Sequence, residues 1–157
     1  MESDVQKDDK PLDLQGLLDA QLDIERNWRG RGTDWFLQLL ASWANTMNIE
    51  FGITLHMPSG VVSGTLISHE KYFMAFADSF AGEWAGESEK QLRELIAGYG
   101  EPLPEEQELN APLNYIHLKD AQTYTPGQPP LPSGTGVLWR GKINNVSGFN
   151  LGRLGSS

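Results

Sequence analysis

The chain has no cysteine among its 157 residues, which excludes disulfides, thiolate metal ligands and a cysteine nucleophile. It also lacks an apolar run of the roughly 18 residues that a membrane-spanning helix needs, because charged residues, histidine or glycine interrupt every candidate. The first fifteen residues are polar and acidic, whereas a secretory signal needs a basic start followed by an apolar stretch. We therefore expect a soluble, cytoplasmic protein.

Acidic residues are absent from residues 121–157, so all 21 Asp and Glu side chains precede that segment. The acid-free segment carries three cations, Arg140, Lys142 and Arg153. The net charge of −9 opposes binding to phosphate-rich partners, because neutralising phosphates supplies most of that affinity. We expect neither nucleic acid nor a membrane as the partner.

Composition favours one folded domain. Hydrophobic residues make up 39% of the chain and include five Trp, which is enough apolar surface for a core. Residues 1–11 are almost free of apolar side chains and are predicted to form a disordered acidic arm. The single domain is predicted to span 12–154, with flexible Pro-rich loops at 101–112 and 125–136.

The period of the apolar residues predicts two helices near the N-terminus. The first helix is predicted from the helical spacing of Leu14, Leu17, Leu18, Leu22 and Ile24. Thr33 is the predicted N-cap of a second helix, whose apolar stripe is formed by Trp35, Phe36, Leu39, Leu40 and Trp43. Core packing is the favoured role of this stripe, and docking on a partner is the alternative.

Alternation with a period of two predicts strands after residue 48. A hairpin is expected at 49–68 around Pro58-Ser59-Gly60, a third strand at 114–124, and two further strands, or one bent strand, at 137–151. Helical spacing returns between strands 2 and 3, at about 69–100, where Ser88 is a predicted cap. The fold class is therefore α+β: a small, strongly bent antiparallel sheet with N-terminal helices and a helical insertion.

The sequence shows few residue patterns typical of a catalytic site. The three histidines, His56, His69 and His117, are not at metal-ligand spacing, and we interpret His56 and His117 as outward-facing strand residues. The glutamates of 101–112 lie in a Pro-rich loop that would not bury them. We expect no catalytic residues, no metal and no cofactor.

Three stretches resemble the two motifs of the Sm-like fold: residues 60–67, 115–121 and 138–143. The resemblance implies a helix followed by five strongly bent strands, with closure into a β-barrel as one form. It leaves an alternative function open, an oligomeric scaffold or nucleic-acid-binding module. The chain departs from the motif at Tyr115, where that fold carries an RNA-contacting Asn.

A closer resemblance covers residues 48–154. The block Trp139-Arg140-Gly141-Lys142-Ile143, followed by Val146 and Gly148-Phe149, is similar to the gas vesicle accessory protein GvpU family. The resemblance implies a non-enzymatic protein that associates with gas vesicles and modulates their clustering. Its implied partners are the vesicle shell, other gas vesicle proteins or further copies of the chain.

The predicted partner-binding residues are the cationic and aromatic side chains near the C-terminus: Trp139, Arg140, Lys142, Phe149 and Arg153. Arg and Trp are favoured interface anchors. The basic C-terminal segment of one copy, within 121–157, would then dock on the acidic connector of another, residues 101–112. The alternative is ordinary strand alternation, with Trp139 buried and Arg140 exposed.

Overall fold

A computed structural model describes residues 13–28, 32–101 and 113–155. The predicted acidic arm at 1–11 and nearly all of the connector at 101–112 lie outside the described residues. The helices are α1 (Leu14–Trp28), α2 (Trp35–Met47), α3 (His69–Ala81) and α4 (Glu87–Gly98). The strands are β1 (Phe51–Met57), β2 (Gly60–Ile67), β3 (Tyr115–Tyr124), β4 (Val137–Lys142) and β5 (Gly148–Leu151).

The five strands form one antiparallel sheet in the order β4-β3-β2-β1-β5. The α+β prediction is confirmed, and α3 and α4 form the helical insertion between β2 and β3. Within the described residues β4 and β5 are the two edges of an open sheet, so the barrel closure that the Sm-like resemblance allows is not formed there. A short 3-10 turn at Ile143–Asn145 separates β4 from β5, so this region is two strands rather than one.

Strand β3 contains an irregularity at Asp120. Asp120 has a left-handed φ of 50°, and the pairing register of β3 shifts beside it against both β2 and β4. Gly136 lies very close to the Asp120 backbone, and a Cβ at position 136 would lie 2.1 Å from the carbonyl carbon of Asp120. A bulge of this kind bends a strand and increases its twist.

Helix α2 covers one face of the sheet and forms the core with it. The helix begins after Asp34, whose Oδ1 accepts the N–H groups of Phe36 (2.9 Å) and Leu37 (3.3 Å). The prediction of Thr33 as N-cap is therefore wrong by one residue. The core side chains come from α2 and three strands, β1, β2 and β3: Leu37, Leu40, Ala41, Ala44, Ile53, Leu55, Leu66, Ile116 and Leu118.

The predicted stripe of α2 is only partly buried. Leu39 and Leu40 are buried, Trp35 and Trp43 are half-buried, and Phe36 is exposed. The stripe therefore lies to one side of the helix face that contacts the sheet. Leu37 and Ala44 lie at the centre of that face. Among the described helices, none is long and apolar enough to cross a membrane.

Helix α4 begins one residue before the predicted cap. Gly86 is its N-cap and has a φ of 69°, a conformation that glycine adopts without steric cost. Ser88 lies inside the first turn and the helix has no side-chain cap. The glycine lets the chain reverse between α3 and α4, which pack on each other.

Candidate functional site

The block Trp139–Lys142 forms most of β4, at one edge of the sheet. Trp139 pairs with Leu118 and packs against the core. Its indole lies over Gly141, where a Cβ would be only 2.1 Å from the Cη2 atom of Trp139. Real Cβ atoms do not approach so closely, so glycine at this position is what allows the indole to cover the strand.

Arg140 lies on the opposite face of β4 from Trp139, because successive strand side chains alternate. Its guanidinium carbon is 3.7 Å from the ring centroid of Tyr115 and 5.7 Å from that of Phe73. Contacts of this kind contribute about 0.5–2 kcal/mol. Within the part of the chain that the structure describes, Arg140 has no carboxylate partner, so its charge is held by aromatic rings alone.

His117 pairs with Arg140 across β3 and β4, and it is buried with 4% of its surface exposed. The prediction that it faces outward is wrong, because α3 covers this face of the sheet. Its ring centroid lies 4.6 Å from that of Tyr72 and 5.4 Å from that of His69. Burial, and then the neighbouring charges of His69 and Arg140, lower the pKa of His117 from 6.5 to about 3.

The Nε2 atom of His117 has no hydrogen-bond partner among the described residues. His69 is satisfied, since its Nε2 lies 2.8 Å from the carbonyl oxygen of Tyr99. A carbonyl only accepts, so His69 donates this hydrogen bond. The backbone N–H of His69 donates to Oδ1 of Asn45 at 2.8 Å. His69 thereby ties the start of α3 to α2 and to the end of α4.

An ion-pair network lies beside the rings around His117, on the same face of the sheet. Glu50, just before β1, accepts from Nζ of Lys71 at 2.7 Å and from Nζ of Lys119 at 2.6 Å. Burial tends to raise the pKa of the Glu50 carboxyl, but the hydrogen bonds and charges of the two lysines outweigh it, and the pKa is lowered. The network links β1, α3 and β3.

Lys142 lies beyond Arg140 on the same face of β4. It lines a small cleft of about 210 Å³ with Asn114, Tyr115 and Asn144. Ligand sites for drug-sized molecules usually occupy about 300–1,000 Å³, so this cleft is small for such a ligand. Within the described residues no group of three His, Asp or Glu side chains is arranged to hold a metal ion.

Of the remaining two predicted residues, Phe149 lies on β5 at the other edge of the sheet, and Arg153 lies in the segment after it. Phe149 on β5 pairs with Leu55, and its ring centroid is 5.8 Å from that of Phe36. Arg153 follows β5 and donates from Nη2 to the backbone oxygen of Asp120 at 2.8 Å. The segment after β5 therefore crosses the sheet towards β3.

The five predicted partner-binding residues thus occupy three places. Arg140 and Lys142 share one face of β4, Trp139 packs on the opposite face, and Phe149 and Arg153 lie at and beyond β5. The sequence analysis missed Tyr115 as the ring beneath Arg140. Its strand was predicted, but the pairing register that sets Tyr115 beside Arg140 depends on the β3 bulge and is not visible in the sequence pattern.

Comparison with known protein families shows what the chain is similar to. A family model described as gas vesicle protein GvpU-like matches residues 34–154, a range that contains α2, α3, α4 and all five strands. No curated protein and no solved structure gives a significant match to the chain.

Proposed function

Because the chain belongs to the GvpU-like family of gas vesicle proteins, we propose that it is a non-catalytic accessory protein that associates with gas vesicles and modulates their clustering. The family match over residues 34–154 is the observation that carries this proposal. The proposed partners are the vesicle shell, other gas vesicle proteins and further copies of the chain. The proposed location is the cytoplasm, at the vesicle.

Arg140 and Lys142 are the proposed first contact with an acidic partner surface. Both are exposed, both extend from the same face of an edge strand, and Tyr115 supports the Arg140 guanidinium from below. Such a pre-positioned cation loses less side-chain freedom on binding than a mobile one. Phe149 at the other edge is a proposed second contact, and Arg153, whose side chain reaches β3, is a proposed third. Trp139 is proposed to act by maintaining the conformation of β4.

A nucleic-acid-binding scaffold is the second candidate function. The observation that favours it is the Arg140–Tyr115 pair, because proteins bind single-stranded RNA through exposed aromatic rings and cations. The net charge of −9 opposes this candidate, since the repulsion acts along the whole nucleic-acid backbone.

Flotation of isolated gas vesicles tests the proposal. Purified protein is mixed with vesicles, the vesicles are floated by centrifugation, and the bound fraction is measured from low to high salt with and without a structured RNA. We expect protein in the floated layer, with less at high salt because exposed charges are screened beyond about 10 Å at 0.1 M salt. Protein that binds the RNA and never floats would overturn the gas vesicle assignment and favour the scaffold.

Matched charge variants test the contact residues. Arg140→Gln and Lys142→Gln are each expected to weaken vesicle binding several-fold and to reduce its salt dependence. Lys90→Gln removes one positive charge from the exposed surface of α4 and is the control. An equal loss of binding in all three variants would show that net charge, rather than the β4 face, governs association.

A further inference from the structure

Strand β4 forms an edge of the sheet and has a regular backbone. It pairs with β3 without a register shift from Trp139 to Lys142. Within the residues that the structure describes, no strand pairs with its other side and no further backbone hydrogen bond reaches it. An edge strand presents unpaired N–H and C=O groups that can pair with another chain. The outer side of β4 can therefore accept an additional strand.

The pairing register shows which backbone groups of β4 face outward. Opposite residues of an antiparallel pair alternate between those that exchange both backbone hydrogen bonds and those that exchange none. The N–H of Ile143 donates to the carbonyl oxygen of Asn114 at 2.9 Å, and this pair continues the register in which Lys142 lies opposite Tyr115. The residues that bond to β3 therefore alternate with Arg140 and Lys142, whose own N–H and C=O groups face away from β3.

The two residues with outward-facing backbone groups are also the cations of this strand. Arg140 and Lys142 are exposed, and side chains two positions apart on a strand extend from the same face about 7 Å apart. Neither side chain takes part in an ion pair among the described residues. Lys142 shares its cleft with the carboxamides of Asn114 and Asn144, which can donate to a carboxylate that the lysine attracts.

The charge of this edge selects what can pair with it. Cations on an edge strand oppose pairing with most other strands. Antiparallel pairing of β4 with the β4 of a second copy would bring the Arg140 and Lys142 side chains of the two copies together, and like charges directly opposite are destabilising. The other edge strand, β5, carries no carboxylate. Neither edge strand of a second copy therefore neutralises the two cations, whereas an acidic strand from another protein would.

We propose that the outer side of β4 binds an extended acidic segment of a partner protein as an added strand, with carboxylates at alternate positions opposite Arg140 and Lys142. This inference rests on the proposed function, for which it states the form of the acidic partner. Strand addition takes its affinity from main-chain hydrogen bonds and its specificity from alternate side chains. Each cation here also offers its backbone N–H and C=O to the residue whose carboxylate it attracts.

Binding of labelled peptides, measured by fluorescence polarisation, tests the spacing. The first probe is a threonine peptide with two glutamates at alternate positions. The second has the same composition with the two glutamates adjacent. We expect the wild-type chain to bind the alternating probe several-fold more tightly, because adjacent side chains of an extended segment lie on opposite faces. Equal binding of the two probes would overturn the inference.

A pair of variants at one position separates the charge from the backbone. Lys142→Gln removes the charge and keeps the outward N–H, whereas Lys142→Pro removes both. The φ of Lys142 is −79°, close to the value that proline requires, and the lost N–H makes no bond to β3. We expect Lys142→Gln to weaken binding of the alternating probe several-fold and Lys142→Pro to weaken it several-fold further. Equal affinities of the two variants would show a contact through charge alone and overturn strand addition.

Methylated peptides repeat this test on the wild-type chain, so the result does not depend on the folding of the proline variant. In the proposed register the N–H of each glutamate points towards β4, and those of the intervening threonines point away. N-methylation of the two glutamates is expected to abolish binding. N-methylation of the threonines is expected to leave it nearly unchanged. Equal effects of the two modifications would contradict the register.

A peptide with the sequence of residues 101–112 distinguishes a second copy from another protein, since it contains Glu106 and Glu108 at alternate positions. Tighter binding of this peptide than of the alternating probe would assign the contact to a second copy and overturn the choice of partner. Flotation separates the inference from the proposed function. A chain that floats with vesicles but binds no peptide would overturn strand addition alone. Peptide binding without flotation would support strand addition and overturn the vesicle assignment.

Discussion

Protonation of His117 is expected to destabilise the fold in mild acid. The pKa of His117 is 6.5 in the unfolded chain and about 3 in the folded one. Between these values the unfolded chain binds the proton and the folded chain does not, so the free energy of unfolding falls as the pH falls below 6.5. The slope approaches about 1.4 kcal/mol per pH unit, and the loss amounts to about 2 kcal/mol between pH 7.5 and pH 5.

The cause of the destabilisation lies in the groups around the ring. His69, Tyr72 and Phe73 on α3 enclose His117, and Arg140 on β4 pairs with it. A protonated His117 would carry its charge in this enclosed site, close to the Arg140 guanidinium. A loss of about 2 kcal/mol is a large share of the 5–15 kcal/mol that stabilises a typical domain.

Urea denaturation of the wild type and of His117→Phe at pH 7.5, 6.5, 5.5 and 5.0 measures this effect. Carboxylates contribute to the pH dependence of both proteins, so the difference between the two curves isolates His117. We expect that difference to change by about 2 kcal/mol across the series. A glutamine at position 117 does not titrate, so the free energy of unfolding of His117→Gln should show the same weaker pH dependence as that of the Phe variant. Parallel curves for wild type and variants would refute the reasoning.

Three further substitutions test the Trp139 packing, the α2 cap and the Glu50 ion pairs, each by urea denaturation at pH 7.5. Gly141→Val should cost about 1–3 kcal/mol because it displaces the indole of Trp139, whereas Gly148→Ala meets no atom within 4 Å and should stay within about 0.5 kcal/mol; equal effects would argue against the packing role. Asp34→Ala should cost about 1 kcal/mol through loss of the α2 cap, and an unchanged midpoint would contradict the cap assignment. Glu50→Gln should cost no more than about 1 kcal/mol, and the loss should shrink at high salt; a salt-independent loss would mean that charge is not the cause.

Hydropathy periodicity predicted much of the fold. The change from a period of 3.6 to a period of two located β1, β2 and β3, and the return to 3.6 located α3 and α4. Caps were less predictable, because Thr33 and Asp34 are both good capping residues and only the direction of the Asp34 side chain decides between them. The cap of α4 was missed because Gly86 supplies its conformation and Ser88 supplies no bond.

The candidate site was predictable in part. Strand alternation puts Trp139 and Arg140 on opposite faces, but it does not tell which face a second element covers. For that reason the burial of His117 under α3 was missed, although its strand was predicted. The neighbours of Arg140 depend on the register of β3 and β4, which the bulge at Asp120 shifts.

The cluster size of isolated gas vesicles, measured by electron microscopy before and after the purified chain is added, tests the central claim most directly. The account predicts that the size distribution shifts with the wild type, and that the Arg140→Gln/Lys142→Gln variant needs a several-fold higher concentration for the same shift. A distribution that stays unchanged while the wild-type protein is bound to the vesicles would contradict the proposal that this protein modulates their clustering.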